Sequence, residues 1–178
     1  MGVQLPGEEV LWTGQPDPSV IFSKKDLFLI PLTIVSLGLM MWVFKDILDN
    51  RIYKIIAIIY FIFAFLYFLV GRFVIKDRKK KHTFYVITNK RALIFIDNSI
   101  GNTKEVYLNK LHTLTRDIKS DGHGTIYFGE KPGPNAWFDN TGIEYMGESY
   151  GEPPFTFHDI RKVIEVYELV NGFVEKNL

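Results

Sequence analysis

Two long uncharged stretches leave this chain few folds to choose from. Between Asp26 and Lys45 the eighteen residues LFLIPLTIVSLGLMMWVF carry no charge, and from Ile55 to Gly71 seventeen more carry none. At about 1.5 Å rise per residue, each run covers roughly 26 Å as a helix, close to the hydrocarbon thickness of a bilayer. The second run continues through Phe73, Val74 and Ile75 if Arg72 extends its guanidinium toward the headgroups. Both runs read as spanning helices, over about 27–44 and 54–75. The rest of the chain is too small to wrap two helices that are apolar on every face. A signal peptide is not expected for the first run. Residues 1–26, with Glu8, Glu9, Asp17 and Asp26, precede it, and no small-residue cleavage site follows.

The connection KDILDNRIYK is short enough to force an antiparallel hairpin, so both termini share one side. Lys24, Lys25, Arg72, Lys76, Arg78, Lys79, Lys80 and Lys81 flank that side, against Lys45, Arg51 and Lys54 in the connection, which predicts cytosolic termini. Trp42 and Tyr53 suit the outer interface. Pro31 falls near the first turn of its helix or kinks it.

Composition narrows the chemistry. A net charge of +1 gives no global attraction to nucleic acid, and none is expected as a partner. With no cysteine there is no disulfide, thiolate nucleophile or cysteine-held metal. His82, His112, His123 and His158 show no metal-binding spacing, and no phosphate loop, nucleophile elbow or dinucleotide fingerprint occurs. Asp121 and His123 in SDGHGT are an acid–base pair on paper, but the same residues suit a tight turn. The expectation is no enzyme, no cofactor, no metal and no catalytic residue.

From Thr83 the pattern alternates with period two. TFYVIT and RALIFID flank Asn89-Lys90 as a hairpin, and TKEVYL, LHTLTRDIK and GTIYFG follow as short strands. A Gly/Pro-rich stretch, residues 130–154, precedes FTFHDIRKVIEVYELVNGFVEKNL. There Ile160, Val163, Ile164, Tyr167, Val170 and Phe173 line one helical face, and His158 or Asp159 caps its start. The fold class expected is an α+β membrane protein. A transmembrane helical hairpin (27–75) and a basic juxtamembrane linker (76–82) lead into a small barrel or sandwich (83–178) of about six to seven antiparallel strands, closed by a C-terminal helix.

The order GEEVLWTGQP, two apolar helices, YVITNKRALI, GTIYFG and PFTFHDIRKVIEVYELV resembles the bacterial membrane-anchored PH-like (pleckstrin-homology-like) domain proteins over nearly the whole chain. The insertion between Glu130 and Pro154 is longer and more aromatic than that family's usual pattern. The resemblance implies a PH-like domain on the cytoplasmic face of a bacterial inner membrane. It implies no particular ligand, since a fold does not carry a function with it.

Two surfaces are candidates for binding. Lys76, Arg78, Lys79, Lys80 and Lys81 form a basic collar, either an orientation signal in a solvated sleeve or a site for anionic lipid headgroups, at about 1 kcal/mol per charge. Trp137, Phe138 and Tyr145 form either a partner-binding or membrane-dipping lip or a cover over the barrel mouth. Trp12 lies at the inner interface or packs on the barrel. Membrane lipids and a membrane or cytosolic protein are the expected partners. Small residues at Ser36, Gly38, Ala57, Ala64 and Gly71 leave a homo-oligomer open. The function expected is a non-catalytic module presenting a protein- or lipid-binding surface at the membrane. A subunit of a transport or enzyme complex is the remaining alternative.

Overall fold

The computed structural model of the chain describes residues 5–47, 50–96, 103–131, 133, 139–142 and 155–177. It is an α+β protein with two long apolar helices, two antiparallel sheets and a C-terminal helix. Strand β1 (Val10–Gly14) comes first, then helices α1 (Lys24–Ile47) and α2 (Arg51–Leu66). A five-residue π-helical turn, Tyr67–Gly71, joins α2 to α3 (Arg72–Lys81). Strands β2 (Thr83–Thr88), β3 (Arg91–Ile96), β4 (Thr103–Tyr107), β5 (Thr115–Ile118), β6 (Gly124–Tyr127) and β7 (Thr156–Ile160) follow, and α4 (Val163–Val174) closes the chain.

Both helices outrun their expected bounds. Asp26 Oδ2 accepts from the Ser23 N–H and hydroxyl, both at 2.7 Å, and so closes the first turn of α1 before the apolar run begins. It continues through Pro31, which lies inside the helix rather than in its first turn. Asn50 caps α2 by accepting from Ile52 N at 2.9 Å, so Arg51 and Lys54 are helical. From Arg51 to Lys81 the chain is helical without a break for 31 residues, about 46 Å. The stretch expected as a linker is therefore helix almost to its end. Among the described residues two helices, Lys24–Lys45 and Arg51–Lys81, are long and apolar enough to cross a membrane.

The N-terminal segment belongs to the β-domain. β1 pairs antiparallel with β2, giving the order β1-β2-β3-β4, and β5-β6-β7 forms a second sheet. Asn89 and Lys90 turn the β2–β3 hairpin, as their place between two alternating runs predicts. Between the sheets lie Tyr85, Ile87, Ala92, Ile94, Ile126, Phe128, Phe157 and Ile160, capped by Val163, Val166, Val170 and Val174 of α4. The Tyr85 and Phe157 rings stack at 4.2 Å and 11°, and Trp12 stacks on Phe157 at 6.2 Å. Trp12 is thus packed on the domain. The helical face differs from the expected one. Ile160 is in β7, Ile164 is half exposed, and Val166 and Val174 take the buried positions. His158 and Asp159 also sit in β7 and cap nothing. Lys162, at φ +54°, is the N-cap.

Candidate functional site

Where the helices meet the β-domain, charge is buried on a scale that a small fold seldom tolerates. Arg72, Lys76 and Lys80 recur every fourth residue along α3, so they share one face. All three are at most 4% exposed. Their partners come from three distant parts of the chain. Arg72 Nη1 lies 2.9 Å from Asp26 Oδ1, and Lys76 Nζ lies 3.9 Å from Asp26 Oδ2 while donating to Ile21 O at 2.8 Å. Lys80 Nζ donates to Asp159 Oδ2 and Val20 O, both at 2.6 Å, and to Asp17 O at 3.2 Å. One face of one helix therefore holds the start of α1, the segment between β1 and α1, and the end of β7.

Each acid has further partners. Asp159 also accepts from Lys119 Nζ at 2.7 Å and Asn140 Nδ2 at 2.8 Å. Burial opposes its charge, but the bonds from Lys119 and Lys80 outweigh that and hold its carboxyl below the usual range. Asp17 accepts from Arg161 Nε, from Ser19 N at 2.8 Å and from His123 Nε2 at 2.9 Å, and the Arg161 bond chiefly keeps its carboxyl low. Asp17 N–H donates to Asp159 O at 2.9 Å, joining the two acidic corners through the backbone. The loop at 139–142 seals the side. Lys25 Nζ donates to Asp139 O at 2.9 Å, and His158 Nε2 lies 3.0 Å from Asp139 Oδ2. Gly142 has φ +85°, and a Cβ there would come within 2.2 Å of Arg72 O, so only glycine fits.

A second lock joins the two most distinctive sequence stretches. Arg91 grips Glu8 with Nε at 2.8 Å and Nη2 at 3.0 Å, and Thr88 Oγ1 donates to the same carboxylate at 2.9 Å. Arg91 holds the Glu8 carboxyl down to about 2. Asn89 accepts from Glu9 N and donates to Gly7 O, each at 3.1 Å. GEEVLWTGQP and YVITNKRALI therefore bind each other.

The collar residues proposed from sequence are divided. Lys76 and Lys80 point inward and are occupied. Arg78, Lys79 and Lys81 are exposed, with Lys81 paired to Asp77 at 2.6 Å. Arg72 also departs from expectation, because its guanidinium is buried against Asp26 and over the Phe73 ring rather than reaching outward. Its Nε and Nη2 have no hydrogen-bond partner among the described residues. Trp137, Phe138 and Tyr145 lie outside the described residues. The turn around Asp121 forms as expected, with His123 N donating to Asp121 Oδ1 at 3.1 Å, but His123 then faces Asp17 rather than a cleft. Among the described residues no group of three His, Asp or Glu side chains is placed to hold a metal ion. A crevice of ≈ 110 Å³ between α1 and α2 is lined by Met41, Phe44, Ala57, Ile58 and Phe61 with Lys45 and Lys54, and it contains no acid–base pair. The acids and bases of this joint are paired with one another, which ties the start of α1, the segment before it and the end of β7 to one helix face.

Sequence reasoning missed Asp17, Asp26, Asp159 and Lys119 as one cluster. The fourfold spacing of Arg72, Lys76 and Lys80 was the available signal. No protein-family model, curated protein or solved structure matches the chain.

Proposed function

We propose that this chain is a membrane-anchored, non-catalytic binding module of the PH-like type. Two spanning helices hold its β-domain against the cytoplasmic face of a bacterial inner membrane, where it presents a surface to lipids and to a protein partner. The observation that carries this reading is the charged joint. A basic helix face buried against Asp26, Asp159 and the Asp17–Ile21 backbone makes anchor and domain one body, so any surface on the domain is kept at a set height and angle. Such confinement raises the effective concentration of the domain toward other membrane components. Pairing of β1 with β2 supports placing the N-terminal segment and the domain on one side, as the distribution of lysine and arginine also does.

Recognition of anionic headgroups is the second reading, and exposure along α3 favours it. Val74 and Ile75 are exposed apolar residues, and Arg78, Lys79 and Lys81 follow on the exposed surface. That is the order of a helix leaving hydrocarbon for the headgroup layer. At about 1 kcal/mol each, with Lys81 offset by Asp77, the two remaining charges amount to roughly a thirtyfold preference for an anionic surface.

The test is gentle solubilisation of the full chain and mass spectrometry of the lipids and proteins that stay bound, wild type beside R78Q/K79Q/K81Q. Anionic lipid enriched on the wild type and lost from the variant supports headgroup recognition. A stoichiometric protein retained by both supports an assembly module. Recovery of neither from the wild type overturns the proposal.

A further inference from the structure

The inner basic face of α3 aligns with the packing face of α2 only because of the π-turn between them. In α2 the residues that are not exposed are Ala57, Phe61 and Ala64; Phe61 is buried and its ring lies 6.0 Å from that of Phe44 on α1. At about 100° per residue these three fall in a sector roughly 60° wide. An α-helix continued without interruption would place Arg72, Lys76 and Lys80 in a sector centred about 90° away from that stripe. It would turn Ile75 and Lys79 inward instead.

The observed chain does otherwise. Arg72 N–H reaches back five residues to Tyr67 O, so the turn accommodates one residue more than an α-turn. Removing one residue's rotation from the count brings the centre of the Arg72, Lys76 and Lys80 sector to within about 10° of the stripe's centre. It also carries Ile75 outward, where it is 43% exposed, and Arg78 to the opposite side.

We infer that the π-turn Tyr67–Gly71 is a phase-setting insertion: its one extra residue decides which bases of the collar are sequestered in the domain and which face outward. The number of residues in the turn, more than their identity, seats the domain on its anchor. This inference rests on the geometry of the joint and holds whatever ligand the outward face takes.

The test is amine-reactive footprinting of the full chain in detergent micelles, read lysine by lysine by mass spectrometry. In the wild type Lys76 and Lys80 are modified at least about tenfold more slowly than Lys81, because their modification waits on local opening. Deleting Leu69 is expected to abolish protection at Lys76 and Lys80 and to slow Lys79. A second variant keeps the deletion and inserts one alanine between Gly71 and Arg72, restoring the count, and it is expected to return the wild-type pattern. Protection of Lys76 and Lys80 that survives the deletion overturns the inference. So does failure of the re-inserted residue to restore protection, including the case in which the deletion exposes every lysine, since a general loss of fold would not depend on residue count.

Discussion

At the scale of single residues, the joint is costly to form and more costly to break in half. Lys80 and Asp159 are 4% and 1% exposed, and either one left alone is a charge stranded away from water. Asp159→Ala removes the partner of Lys80 and Lys119 together, and the full chain should lose about 3–5 kcal/mol of stability, read as a lowered thermal unfolding midpoint. The acids also set a pH dependence. Asp17, Asp159 and Glu8 are all held below their ordinary values, so in the unfolded chain they take up protons at a higher pH than in the folded one. Their stabilisation is complete above the unfolded values, near pH 4–5, and is lost as pH falls through the folded values. Thermal midpoints measured across pH should therefore fall steeply below about pH 4, and Asp17→Asn should flatten that slope. Gly142→Ala meets a backbone oxygen rather than a flexible side chain, so the midpoint should fall although no charge is altered.

At the scale of elements, legibility followed the range of the interaction. The apolar runs, the Asn89-Lys90 hairpin, the turn around Asp121 and the closing helix were readable because each depends on neighbours a few residues away. β1 was not, because the pairing of Val10–Gly14 with β2 closes a loop of some 70 residues and leaves only a weak period-two signal in VLWTG. The helix bounds were missed where polar side chains, Asn50 and the Asp26 that bonds back to Ser23, begin a helix outside its apolar run. The joint was half legible. The spacing of Arg72, Lys76 and Lys80 stands in the sequence, but Asp17, Asp26 and Asp159 are scattered and each looks like an ordinary surface acid until the fold assembles them. The Glu8–Arg91 lock predicts how β1 is held. Glu8→Ala leaves Arg91 without its bidentate partner, and hydrogen exchange should rise across β1 and the β2 residues facing it while α4 stays protected. Equal exchange in both proteins would show that the sheet edge does not need the lock.

For the whole molecule, the central claim is that anchor and domain move as one. A 31-residue helix enters the domain without a break, and the inner face of its last segment is buried there by ion pairs and carbonyl bonds instead of standing as a solvated stalk. The protein has no native cysteine, so spin labels can be placed cleanly. The most direct measurement is the distance distribution between labels at Tyr53, on the far end of α2, and Ile118, on the domain, both exposed positions, in the full chain reconstituted in lipid nanodiscs. One narrow distance in the wild type that broadens in Asp159→Ala is the predicted result, whereas a broad distribution already present in the wild type would contradict a rigid joint.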